Sequence, residues 1–130
     1  AVLGLYHDAH EIITGDMPTP IKYYNADIKN AYKQIESVAE DRLIELLPED
    51  MRGDFKAVYN PDRECEQLIK AADKISALIK CIEERNSGNR EFRTAEQSTL
   101  NAIKAMNMPE ADVFLNEFMN SFDLTLDELK

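Results

Sequence analysis

Two long stretches of this chain space their apolar residues three and four apart, and that spacing sets what the chain folds into. In the first, Ile28, Ala31, Tyr32, Ile35, Val38, Ala39, Leu43, Leu46 and Leu47 share one side of a helical period. Asn25 or Asp27 offers the N-cap, and Pro48 stops the helix near Leu47. In the second, Cys65, Leu68, Ile69, Ala72, Ile75, Leu78, Ile79 and Ile82 repeat the pattern between the Asn60-Pro61-Asp62 turn and Ser87-Gly88-Asn89. Shorter helical segments fill in around them. Residues 48–59 carry a Met51, Phe55 and Val58 stripe, and residues 90–106 turn Phe92, Ala95, Leu100, Ile103 and Met106 inward. A helix restarts after Met108-Pro109, and Thr125 caps a last turn ending at Leu129. Nothing alternates with the period of a strand. The expectation is an all-α bundle of about six helices, one domain over residues 1–130.

Charge narrows the partners. The net charge is −10, so there is no basic excess to neutralise the phosphates of a nucleic-acid polymer. A small phosphorylated ligand is not excluded. No apolar run reaches the roughly 20 residues a membrane span needs. Cys65 and Cys81 fall on one helix, too far apart for a disulfide, which fits a reducing, cytoplasmic setting. The chain opens at Ala1, without Met and already inside an apolar helical pattern. That beginning reads as a piece of a longer protein whose upstream helices are absent.

The stretch Tyr6–Lys22, YHDAHEIITGDMPTPIK, stands apart. Residues 1–14 are expected to form a buried helix that ends at Gly15, before the stiff loop carrying Pro18 and Pro20. On that helix His7 and Glu11 share a face, and Asp8 and Glu11 nearly share it. Imidazole and carboxylate together suit Mn, Fe, Co, Zn or Ni, and Glu11 is placed to handle a proton. The plainer alternative is a satisfied core histidine beside solvated carboxylates, and for an isolated His-Asp dipeptide the plainer one is commoner. Asp73, four residues after Ile69, falls on or beside a buried face. A metal or cation partner and a half-exposed ion pair with Lys70 are equally good accounts of it.

These residues resemble the HD-domain metal-dependent phosphohydrolases, helical proteins whose ligands run in the order H…HD…D. The strings HDAHEIITGDMPTPIKYYN and KAADKISALIKCIEE, followed by NREF, resemble the bacterial YfbR-like 5′-deoxynucleotidases in particular. The resemblance implies His7, Asp8 and Asp73 as ligands of a divalent metal such as Mn or Co. It implies Glu11 and Asp16 as catalytic residues, with Asp16 at the leaving group. Asp8, Asp16, Met17, Pro18 and Thr19 become the substrate contacts, and Lys22 matches a family lysine. The family's first His and its Arg-Trp pair lie upstream and have no match here, and His10 does not take their place. The implied activity is hydrolysis of deoxyribonucleoside 5′-monophosphates by a cytoplasmic homodimer. The alternatives are a phosphodiesterase or triphosphohydrolase of the same superfamily, or a metal-free helical interaction module.

Overall fold

Helix-breaking residues set the segmentation seen in the computed structural model, which describes residues 1–125, 127 and 128. Among the described residues there is no strand, and the all-α expectation is borne out. The chain divides into two compact units, Ala1–Cys65 and Glu66–Lys130.

The first unit is made of α1 (Val2–Tyr6), α2 (Glu11–Thr14), α3 (Thr19–Lys22), α4 (Ala26–Glu45) and α5 (Glu49–Tyr59). Asn25 caps α4 as expected, its side-chain oxygen accepting from the Ile28 amide at 2.8 Å. Pro48 precedes α5. Helix α4 is the spine: α2, α3 and α5 all pack on it, and α1 packs on α5.

The buried helix expected over residues 1–14 is not what forms. Helix α1 stops at Tyr6, and residues 7–10 run as tight turns. Amides there reach back three residues, Ala9 to the Tyr6 carbonyl at 3.0 Å and Glu11 to the Asp8 carbonyl at 2.9 Å. Leu5 is 79% exposed and Ile12 81%. The run is apolar on nearly every side, whereas neighbouring helices cover only one side of each short piece.

The second unit holds most of α6 (Arg63–Asn86), then α7 (Arg93–Ala105), α8 (Pro109–Glu117) and a 3-10 helix (Met119–Asp123). Helix α6 starts where Asp62 accepts from the Cys65 amide at 2.8 Å and ends at Gly88, whose φ of 87° is left-handed. Its buried residues are Ala71, Leu78, Cys81 and Ile82. The expected register placed Ala72 inside; it is exposed. Ala71 precedes Leu78 by two turns and shares its direction, while Ala72 points about 100° away. The core here is wholly apolar: Ala71, Leu78, Ile82, Ile103 and Ala111, flanked by Ile75, Leu100, Met106 and Leu115. Phe92, expected inward, is exposed at the start of α7. Of the expected last turn, Leu126 and Leu129 lie outside the described residues. At Thr125 the amide and hydroxyl each donate to Glu128 Oε2 at 2.8 Å, so the accepting side chain is the glutamate's and the expected cap by the Thr125 hydroxyl does not form.

Candidate active site

The tight turn after α1 aims His7 and Asp8 at each other. His7 Nδ1 lies 2.9 Å from the Gly4 carbonyl. A carbonyl only accepts, so Nδ1 carries a proton. The His7 Nε2 is shielded from solvent and lies 3.0 Å from Asp8 Oδ2, yet the approach is not that of a hydrogen bond. The two atoms thus face each other with no hydrogen bond between them. Two ligands about 2.1 Å from one ion and at right angles to it stand about 3 Å apart. The pair therefore fits a shared divalent cation. Among the described residues, no group of three or more His, Cys, Asp or Glu side chains is assembled that could hold a metal ion.

Glu11 follows at the start of α2, half-buried. Burial pushes its carboxyl up, and the charges of Asp8 and Asp16 push the same way; His10 and Lys22 oppose them. Asp8, Glu11 and Asp16 therefore share one electrostatic neighbourhood. A carboxyl held above its usual range suits proton transfer near neutrality better than an ordinary one.

Gly15 ends α2 with φ 70° and ψ 160°, a conformation close to glycine-only. Asp16, Met17 and Pro18 then cross the surface without helical structure. Pro18 opens α3, its carbonyl accepting from Ile21 at 2.8 Å and Lys22 at 3.0 Å. Asp16, Pro18 and Thr19 are exposed and Met17 is half-buried, so the loop presents its polar groups to solvent.

Beneath the loop lies a polar interior that the sequence pattern did not reveal. His10 is 6% exposed. Its Nε2 faces Glu36 Oε1 at 3.5 Å and its Nδ1 faces Glu40 at 3.9 Å, on opposite sides of the ring. The two carboxylates do not converge on one nitrogen, so His10 is not arranged as a ligand alongside them. Lys22 Nζ bonds Glu36 Oε1 at 2.7 Å and sits 4.8 Å from the centre of the Tyr32 ring. Burial pulls the Lys22 ammonium down, but the Glu36 hydrogen bond and charge more than offset that, so it ends above its usual value. The Tyr32 hydroxyl donates to the Gly15 carbonyl at 3.0 Å. Tyr32, Glu36 and Glu40 are spaced by four along α4. That stripe was the available signal.

Asp73 lies in the second unit, exposed on α6 and turned away from the Leu78 direction. Lys70, the ion-pair partner considered for it, bonds Glu66 instead.

The first unit alone thus defines a helical protein with a His–carboxylate pair, a glutamate whose carboxyl is pushed up and a stiff loop beside them. Comparison with known proteins is more specific. The model of the family described as 5′-deoxynucleotidase YfbR-like matches residues 1–122. A 5′-deoxynucleotidase of Vibrio atlanticus is 45% identical over 99% of this chain and 68% of its own length. Those of Yersinia pseudotuberculosis and Pectobacterium atrosepticum are 45% and 43% identical, again over 99% of this chain and over 67% and 66% of theirs. The chain belongs to the YfbR-like 5′-deoxynucleotidase family, a family of HD-type, metal-dependent hydrolases.

Proposed function

We propose that this chain is a phosphomonoesterase that hydrolyses deoxyribonucleoside 5′-monophosphates to the deoxyribonucleoside and phosphate. The observation that carries this function is the grouping of Asp8, Glu11 and Asp16 around one turn and loop, with the Glu11 carboxyl pushed up by burial and by the other two. His7 and Asp8, with Asp73 as third ligand by the family order, would hold a divalent ion such as Mn or Co. Such an ion supplies polarisation of a phosphoryl oxygen and offsets its negative charge.

The chain's own residues do the rest. Glu11 takes a proton from the attacking water as its oxygen bonds to phosphorus. The bond from phosphorus to the 5′-oxygen breaks, and that oxygen leaves as a hydroxyl with the proton that Glu11 took from the water, passed on with the help of Asp16. Asp8, Asp16, Met17, Pro18 and Thr19 contact the nucleotide. The proposal takes residues 1–130 as one HD domain, cytoplasmic and homodimeric. Among the described residues no helix is long and apolar enough to cross a membrane.

Elemental analysis and a phosphate-release assay test this function. His7→Ala, Asp8→Ala and Asp73→Ala are expected to lose metal and turnover together. Glu11→Gln is expected to keep the metal and lose turnover by about 100-fold or more. Metal retained in all three alanine variants overturns the ligand set. A preference for nucleotide diesters or triphosphates over monoesters in a substrate panel overturns the reaction.

A further inference from the structure

The loop carrying Asp16–Thr19 is fastened to α4 at both of its ends. On the entry side, the Gly15 carbonyl accepts the Tyr32 hydroxyl at 3.0 Å. On the exit side, Lys22 is held by Glu36 at 2.7 Å. The two fastenings meet, because the Lys22 ammonium stands 4.8 Å from the centre of the same Tyr32 ring. Tyr32 is 4% exposed, so its ring is fixed by packing and its hydroxyl reaches out from an immobile base. Between these points the chain has little freedom: Pro18 and Pro20 fix their own φ angles and restrict Met17 and Thr19.

We propose that Tyr32 and the Lys22–Glu36 pair are positioning residues that clamp the Asp16–Thr19 loop onto α4 in its nucleotide-binding form. The role of the loop rests on the function proposed above; the clamp itself rests on the contacts of α4. The three residues act on the loop rather than on the reacting atoms. They act by removing the entropy the loop would otherwise lose when a nucleotide binds. The consequence falls on substrate affinity rather than on the chemical step.

Tyr32→Phe is the cleanest probe, since it keeps the ring, the packing and the lysine contact and deletes only the tether to Gly15. Lys22→Met removes the other end, and Lys22→Arg keeps a cation for Glu36. Glu36 is a poorer probe because it also faces His10 at 3.5 Å. Two measurements on the whole chain are needed. The first is amide hydrogen exchange: Tyr32→Phe is expected to speed exchange by about 10-fold at Gly15, Ile21 and Lys22, whose amides bond the Glu11 and Pro18 carbonyls at the two ends of the loop, with the amides of α7 unchanged. The second is steady-state kinetics on a deoxyribonucleoside 5′-monophosphate. KM is expected to rise about 5-fold in Tyr32→Phe and Lys22→Met while kcat holds within about 2-fold, and Lys22→Arg is expected to restore KM.

Unchanged loop exchange in Tyr32→Phe overturns the clamp whatever the kinetics. Faster exchange with unchanged KM overturns its positioning role, as does a fall in kcat at constant KM. A wild-type chain without turnover on any deoxyribonucleoside monophosphate overturns the function and the positioning role with it, while the exchange result still decides whether the tether exists.

Discussion

The two units bury different things. Glu66–Lys130 has an apolar interior, with Ile103 at 1% exposure among Ala71, Leu78, Ile82 and Ala111. Ala1–Cys65 buries Tyr32, Ala39 and Ile44, but it also buries His10, and it leaves Leu5, Ile12 and Leu46 in solvent. An apolar interior yields stability with few geometric demands. A polar one costs free energy unless each group finds a partner, and it fixes geometry when it does. The unit that carries the candidate chemistry is thus the one with polar groups in its interior, where stability is expected to be lower.

That contrast is most exposed to single deletions of the same residue type. Ile103→Ala removes the side chain most deeply enclosed in the second unit and is expected to cost about 3 kcal/mol in urea denaturation. Ile12→Ala, at an 81% exposed position in the first unit, is expected to change stability by no more than about 0.5 kcal/mol. Equal costs at the two positions break the comparison.

A backbone substitution comes next in size. Gly15 has φ 70° and ψ 160°, and a Cβ placed there meets nothing within 4 Å. The cost of Gly15→Ala is therefore torsional alone, about 1–3 kcal/mol, and it falls on the joint between α2 and the loop. Thermal denaturation measures the cost. Relaxation of the loop, seen as faster exchange at Ile21 and Lys22, whose amides bond the Pro18 carbonyl, is expected to accompany it. A variant as stable as wild type shows that the loop takes up another shape without penalty.

How much of this was legible from the chain follows from which interactions are local. Helix ends were readable because their causes lie within a few residues: Asn25 caps α4, Pro48 precedes α5, Asp62 caps α6 and Gly88 ends it. The His7–Asp8 pair was readable because the two are adjacent. The register of α6 was not, because Ala71 and Ala72 are equally small and apolar and only the packed neighbour of Leu78 decides between them. The buried helix over residues 1–14 failed for a related reason: an evenly apolar segment does not say which side a neighbour will cover. The polar interior around His10 was hidden because periodicity treats every charge as solvated. Glu36 and Glu40 go inside only since His10 and Lys22, contributed by turns far away in sequence, come to meet them.

The smallest effect is a matter of sign, and it tests whether that polar interior costs stability. Burial pushes the Glu40 carboxyl above its usual range; Glu36 and Asp41 add to this and His10 opposes it. The folded chain then holds the Glu40 proton more tightly than the unfolded chain does. Stability from this group is fully present below the unfolded value and is lost as pH rises through the raised folded value. At neutral pH the wild type carries the whole penalty of a charged, half-buried carboxylate. Glu40→Gln removes the charge and keeps the shape. Its stability relative to wild type is expected to improve between about pH 4 and about pH 7, read from paired urea titrations that cancel the other carboxylates. A relative stability that worsens over that interval means the attraction to His10 outweighs burial, and the interior of the first unit is then a source of stability rather than a cost.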